Sequence, residues 1–167
     1  MAITVVADLG EGGSDATAND FNVTVTAPTG GANRCTVVAA AGRRSISDVS
    51  LTSVSGLGLS WTRLVEFHAD LGSNGMSVSL WVGTGTPNGS TTVSLDFNVD
   101  LQRMLWSACE LDGVDVSTPA AIAVQSDGDG ASTGTSASLS LGSAPTSGFV
   151  MGAVLHDVNE ATSEDGW

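Results

Sequence analysis

The carboxylates, histidines and tryptophans are the residues of this chain whose types and spacing could do chemistry. Glu110, Asp112 and Asp115 stand close together in ELDGVD. Two carboxylates about 5–10 Å apart can hydrolyse a glycosidic bond. The same residues where a strand runs into a turn serve as turn formers, because Asp accepts backbone N–H groups. The turn reading fits the DG dipeptide, so no catalytic residue is assigned. His68 in FHADLG and His156 in LHDV each lie within two residues of an Asp. A Ser–His–Asp relay of the hydrolase type needs a strand–turn–helix unit to present its Ser. No segment here has helical periodicity, so both histidines read as loop or strand-end residues and the chain as a non-enzyme.

Two motifs suggest ligands and fail the test of spacing. SDGDGAS (126–132) starts like a calcium loop, with Asp127 and Asp129 as candidate ligands. An EF-hand needs a bidentate Glu at position 12. Counting from Asp127, that position holds Ser138. The stretch reads as a hairpin tip that an opportunistic Ca²⁺ could visit, and no cofactor is expected. GTGTPNGS (83–90) has the glycines of a phosphate cradle but not the G-x-G-x-x-G order before a helix. The next residues, STTVSLDF, alternate like a strand. Pro87, Asn88 and Gly89 supply turn chemistry, with Pro fixing φ and Asn and Gly tolerating positive φ. Pro87 and Asn88, at the loop tip, are candidate contacts to a neighbouring subunit.

Four tryptophans, Trp61, Trp81, Trp106 and Trp167, could stack on sugars or pack at an interface. Trp81 and Trp106 are the candidates for interface or glycan contact. In the strand run of residues 75–83, Trp81 points away from the Met76–Val78–Leu80–Val82 face and shares its side with Ser77 and Ser79. Cys35 and Cys109 each sit in a strand-like run and read as buried thiols. A disulfide between them requires neighbouring strands of suitable geometry.

The elements that must position these residues are strands. FNVTVTA (21–27), residues 75–83 and residues 90–98 alternate apolar and polar, as half-buried strands do. Further strand-like runs are ITVVA (3–7), RCTVVAA (34–40), ISDVSLTSV (46–54), LSWTRLVEF (59–67), RMLWSACEL (103–111), AIAVQS (121–126), SASLSL (136–141) and FVMGAVLH (149–156). Turn signals separate them. DLGEGGSDATAND (8–20) reads as a polar bend in an N-terminal arm covering residues 1–20. The fold expected is all-β with essentially no helix. It is one antiparallel β-sandwich domain over 1–167 with about ten short strands, wired as a jelly roll or Greek key.

Charge excludes some partners. The chain has 18 acidic residues and five basic ones, all Arg, and a net charge of −13. Such a surface repels phosphate backbones and anionic lipid, so neither nucleic acid nor membrane is an expected partner. No apolar run approaches the length of a bilayer span, and no signal peptide is legible after Met1.

Four segments carry a family resemblance. GANRCTVVAA (31–40), LTSVSGLGLSWTRL (51–64), SLWVGTGTPNGSTTVSLDF (79–97) and SACELDGVDVSTP (107–119) resemble, in order, the motif segments of a family of β-sandwich domains from bacteria, archaea and phages. Members are similar to jelly-roll or concanavalin-like sandwiches and occur in phage virion proteins and secreted adhesin-like proteins. The pattern brings no shared catalytic machinery. It implies a structural protein of a tailed-phage virion: a capsid decoration, turret or fibre-like subunit. Such a subunit would assemble in the host cytoplasm and bind capsid or tail proteins, with homo-oligomers expected. The alternative is a carbohydrate-binding or adhesin module of a larger secreted protein. Family members continue into closing strands where this sequence has EATSEDGW (160–167). An edge left without such strands is expected to be covered by a partner subunit or by further residues.

Overall fold

The computed structural model describes residues 3–45, 48–70 and 75–118. These form eight strands: β1 (Thr4–Ser14), β2 (Ala18–Thr24), β3 (Arg34–Arg44), β4 (Leu51–Gly56), β5 (Ser60–Asp70), β6 (Gly75–Thr84), β7 (Thr92–Leu101) and β8 (Arg103–Asp112). No helix occurs among the described residues. The runs at 121–126, 136–141 and 149–156, Trp167, His156 and the candidate calcium ligands Asp127 and Asp129 lie outside the described residues, and each of the eight remaining strand-like runs falls on one of the eight strands.

The strands form two antiparallel sheets. One has the order β1-β8-β3-β6-β5 and the other β2-β7-β4. The pairs β1·β8, β2·β7 and β3·β6 are nested around β4 and β5. This is a long hairpin rolled over on itself, the wiring of a jelly roll. At its tip the turn 56–59 joins one sheet to the other. Leu57 and Gly58 both have positive φ, 59° and 76°, as a type I′ turn demands. Leu57 holds that backbone although it has a Cβ, and its side chain is buried in the core.

Alternation places one row of each strand between the sheets. Val38 and Ala40 of β3, Trp81 of β6, and Met104 and Ala108 of β8 meet Phe21, Val23, Leu51, Val54, Val93, Leu95, Phe97 and Leu101 from the smaller sheet. Phe21 and Phe97 pack edge to face, their ring centroids 6.1 Å apart. Each such fully buried side chain contributes roughly 1.5–3 kcal/mol of apolar transfer. The five-stranded sheet is apolar on its other face too. There Cys35, Val37, Val82 and Leu111 form a second buried cluster, joined by Val114 beyond the end of β8.

Two expectations change. Residues 8–20 are not a bend, since β1 runs through Ser14 and β2 begins at Ala18. Gly10, Gly12 and Gly13 signal a turn in sequence, yet here they make room for side chains on β8. A Cβ on Gly12 would come within 3.0 Å of the Trp106 indole, and one on Gly13 within 2.7 Å of Leu105. The strand read at 46–54 is β4, starting at Leu51 and ending at Gly56.

Candidate functional site

The three carboxylates of ELDGVD lie toward the end of the sandwich where the β2–β3 loop, the β4–β5 turn, the β6–β7 loop and the segment after β8 meet. The origin is Glu110. Alternation along β8 puts Met104, Trp106, Ala108 and Glu110 in one inward row, so the strand carries a carboxylate into the interior, 1% exposed. A buried carboxylate is stable only if it is hydrogen-bonded and paired. Glu110 is both. Thr29 Oγ1 donates to Oε2 at 2.8 Å and the Thr29 amide at 3.2 Å, and the Gly30 amide donates to Oε1 at 2.6 Å. Arg34 Nη1 donates to Thr29 Oγ1 and lies 3.8 Å from Oε2. Its Nε is 3.9 Å from Asp112 Oδ1.

Glu110 therefore folds the PTGGAN loop over the end of the sheets. Gly30 takes a φ of +71°, and a Cβ there would lie 2.6 Å from Pro87 Cδ. This close approach seats the β6–β7 loop against the β2–β3 loop. On its other side, the Asn88 amide donates to Leu57 O at 2.9 Å. Asn88 also packs on Gly58, where a Cβ would meet it at 2.9 Å. Within the loop Asn88 Oδ1 accepts from the Ser90 amide at 3.0 Å. GTGTPNGS is read in sequence as a turn between paired strands, but β6 pairs with β3 and β5 while β7 pairs with β2 and β4, so it crosses from one sheet to the other, wedged between two other loops. Pro87 and Asn88 make intramolecular contacts with the residues on either side.

Between the loops lies an open cleft of about 530 Å³. Thr29, Gly31, Arg34, Thr86, Pro87 and Val116 are among the residues lining it. Its one described charged side chain is Arg34. The guanidinium is held through Nη1 and set beside Asp112 through Nε, and no described residue bonds Nη2. Both oxygens of Glu110 are occupied by donors from the β2–β3 loop. Asp112 Oδ1 accepts from the Gly113 amide at 2.9 Å, and Asp115 Oδ1 accepts from Ser117. The Ser117 bonds hold the Asp115 carboxyl below the usual carboxylate range. The three carboxylates of ELDGVD serve a clamp and two turns.

The tryptophans are elsewhere. Trp81 is buried between the sheets, and Trp61 and Trp106 pack against the same core. Trp106 lies over Gly10 and Gly12, and Trp61 over Gly83. Arg63 stands over the Trp81 ring, 5.8 Å from its centroid. Trp81, which shares its side with Ser77 and Ser79 as expected, therefore faces the inter-sheet core and forms no exposed platform with Trp106.

A second carboxylate closes the edge between β5 and β4. Glu66 Oε1 accepts from Ser50 Oγ at 2.8 Å and from the Leu51 amide at 2.9 Å. Its Oε2 pairs with Arg63 and lies 3.5 Å from His68 Nε2. His68 Nδ1 is 2.8 Å from Val49 O. This histidine holds the β4 entrance to β5.

Cys35 and Cys109 share the outer face of adjacent strands. The register sets Cys35 opposite Leu111 and Cys109 opposite Val37, so the cysteines are diagonal neighbours and both are free thiols. Burial is the main cause that pushes both thiols up to about 11 from an ordinary 9.0. They are protonated at neutral pH, and a thiol rather than a thiolate is a poor nucleophile. No group of three metal-ligating side chains exists among the described residues.

Comparison with protein-family models, with curated proteins and with solved structures found no match.

Proposed function

We propose that the chain is a non-enzymatic structural subunit of a tailed-phage virion, a decoration, turret or fibre-like protein that binds neighbouring subunits. The observation that carries this reading is the edge of the five-stranded sheet. β1 is eleven residues long and bonds to β8 on one side. Among the described residues no strand pairs with its other side. Val5 and Val6 are exposed on it, and Leu105 is exposed on neighbouring β8. A strand edge with unpaired N–H and C=O groups is a template for another chain, and exposed apolar side chains beside it add burial energy. Two register shifts in β1, at Val5/Ala7 and Asp8/Gly10, limit indiscriminate pairing. A net charge of −13 acts the same way by keeping the free subunit soluble.

The test is co-sedimentation of the purified protein with capsid and tail assemblies, alongside its mass in solution. Binding that is lost on Val5→Lys with Val6→Lys is the expected result. A stable monomer with no affinity for either assembly would contradict the reading.

A further inference from the structure

The cleft at the loop end has a construction that the contact with neighbouring subunits does not require. Its polar equipment is asymmetric. Arg34 offers hydrogen-bond donors, yet its charge is already balanced by Glu110 at 3.8 Å and Asp112 at 3.9 Å. A guanidinium so compensated can direct hydrogen bonds but has little net charge with which to hold an anion. The chain's charge of −13 further repels phosphates and carboxylates. Thr86 adds a hydroxyl that no described residue engages. Gly30, Gly31 and Gly85 line the wall without side chains, so their backbone edges face the cleft. Pro87 and Val116 supply two small apolar surfaces, too few to anchor the large side chains that dominate protein–protein affinity. A volume of about 530 Å³ falls within the range of small-molecule sites.

These features select a compact, uncharged ligand with many hydroxyl groups and a C–H face. We infer that the cleft between the β2–β3 and β6–β7 loops binds a neutral hexopyranose unit, free or at the end of a glycan. Arg34 and Thr86 donate to its hydroxyl oxygens. Pro87 and Val116 pack on its C–H face. The Glu110 clamp fixes the loop that carries Arg34, so the donors are in place before the ligand arrives and less ordering cost falls on binding. The site is distinct from any tryptophan platform, since Trp61, Trp81 and Trp106 pack against the core.

Ligand-observed NMR with glucose, galactose, mannose and N-acetylglucosamine tests this on the full chain, with glucuronate and inorganic phosphate as charged comparators. A glycan array separates a free monosaccharide from a glycan terminus. At least one neutral sugar is expected to bind in preference to both charged probes. Thr86→Val should weaken that binding about three- to tenfold, the effect of one lost hydrogen bond. Arg34→Lys, which keeps the charge facing Glu110 but removes the fork, should weaken it at least as much. Thr86→Val removes a hydroxyl without a described partner, so an unchanged melting temperature verifies that the fold is intact. No binding by any neutral sugar, preference for glucuronate or phosphate, or unchanged affinity in both variants would each overturn the inference. None of these outcomes bears on co-sedimentation with particles, so this site and the subunit contact fail separately.

Discussion

The two clamping carboxylates, Glu110 and Glu66, solve one problem in two places. Each sits on a strand of the larger sheet. Each accepts a backbone amide and a hydroxyl from a segment leading into another strand, and each faces an Arg. They differ in what they hold. Glu66 ties β5 to the start of β4, and its partners come from no more than 16 residues away. Arg63 and His68 are exposed to solvent, so water can replace much of what they give. Glu110 is enclosed, and its donors come from 80 and 81 residues away in sequence. Without it, the loop with Gly30 in the left-handed region loses the three hydrogen bonds that tie Thr29 and Gly30 to β8, and keeps the Val114-to-Asn33 backbone bond and the Pro87 packing. The lesson is that a carboxylate at an edge closes the sandwich, whereas a carboxylate in the interior shapes a site.

The sharpest way to break this comparison is Glu110→Ala. It strips three donors of their acceptor and removes one of the two carboxylates that face half-buried Arg34, leaving Asp112. The expected loss is about 3 kcal/mol, measured by urea denaturation, with the Arg34 cleft lost as well. Gly30→Ala comes next. It forces a Cβ into left-handed backbone and against Pro87. The expected cost is about 2 kcal/mol, the upper part of the left-handed penalty. Because the clash is with the β6–β7 loop, amide NMR shifts should move at Pro87's neighbours Thr86 and Asn88. Glu66→Gln should cost only about 1 kcal/mol, since the amide oxygen still accepts and solvent replaces the Arg63 contact. If Glu66→Gln proves costlier than Glu110→Ala, the ranking of the two clamps is wrong.

On the outer face, away from both clamps, the expected effect is nil at neutral pH and emerges only in alkali. The raised thiols of Cys35 and Cys109 leave stability level up to about pH 9, where thiols are protonated in both folded and unfolded chains. From about 9 to about 11 only the unfolded chain releases these protons, so stability falls. Cys35→Ala with Cys109→Ala should flatten that alkaline limb in pH-dependent denaturation, and in the native protein buried Cys35 should react with a thiol reagent only on unfolding, after the half-buried Cys109.

Much of the fold was legible in the sequence, and the reason is the period of two. Phe21 and Val23, Val93, Leu95 and Phe97, and the Met76-to-Val82 run mark strands without any help from tertiary structure. The turn roles of Asp112 and Asp115 were legible as well, because the donors they accept lie within two residues. Glu110 was not separated from them. Its place in the inward row of β8 is a parity signal, but its donors are remote and no local pattern announces them. The glycines of DLGEGG misled because Gly is read locally as a turn, whereas here it clears space for Trp106 and Leu105. Trp81 has the orientation read from its parity, but one strand cannot reveal that both faces of its sheet are buried. The cleft is likewise a product of three loops from separate parts of the chain.

Amide hydrogen exchange at Thr29 and Gly30 tests the central claim most directly. The account predicts that these two loop amides, bonded to Glu110, are protected nearly as well as amides in the middle of β3 and β8. It also predicts that Glu110→Gln lowers their protection while leaving the strands protected. Exchange at the rate of a free loop in the wild-type protein would contradict it.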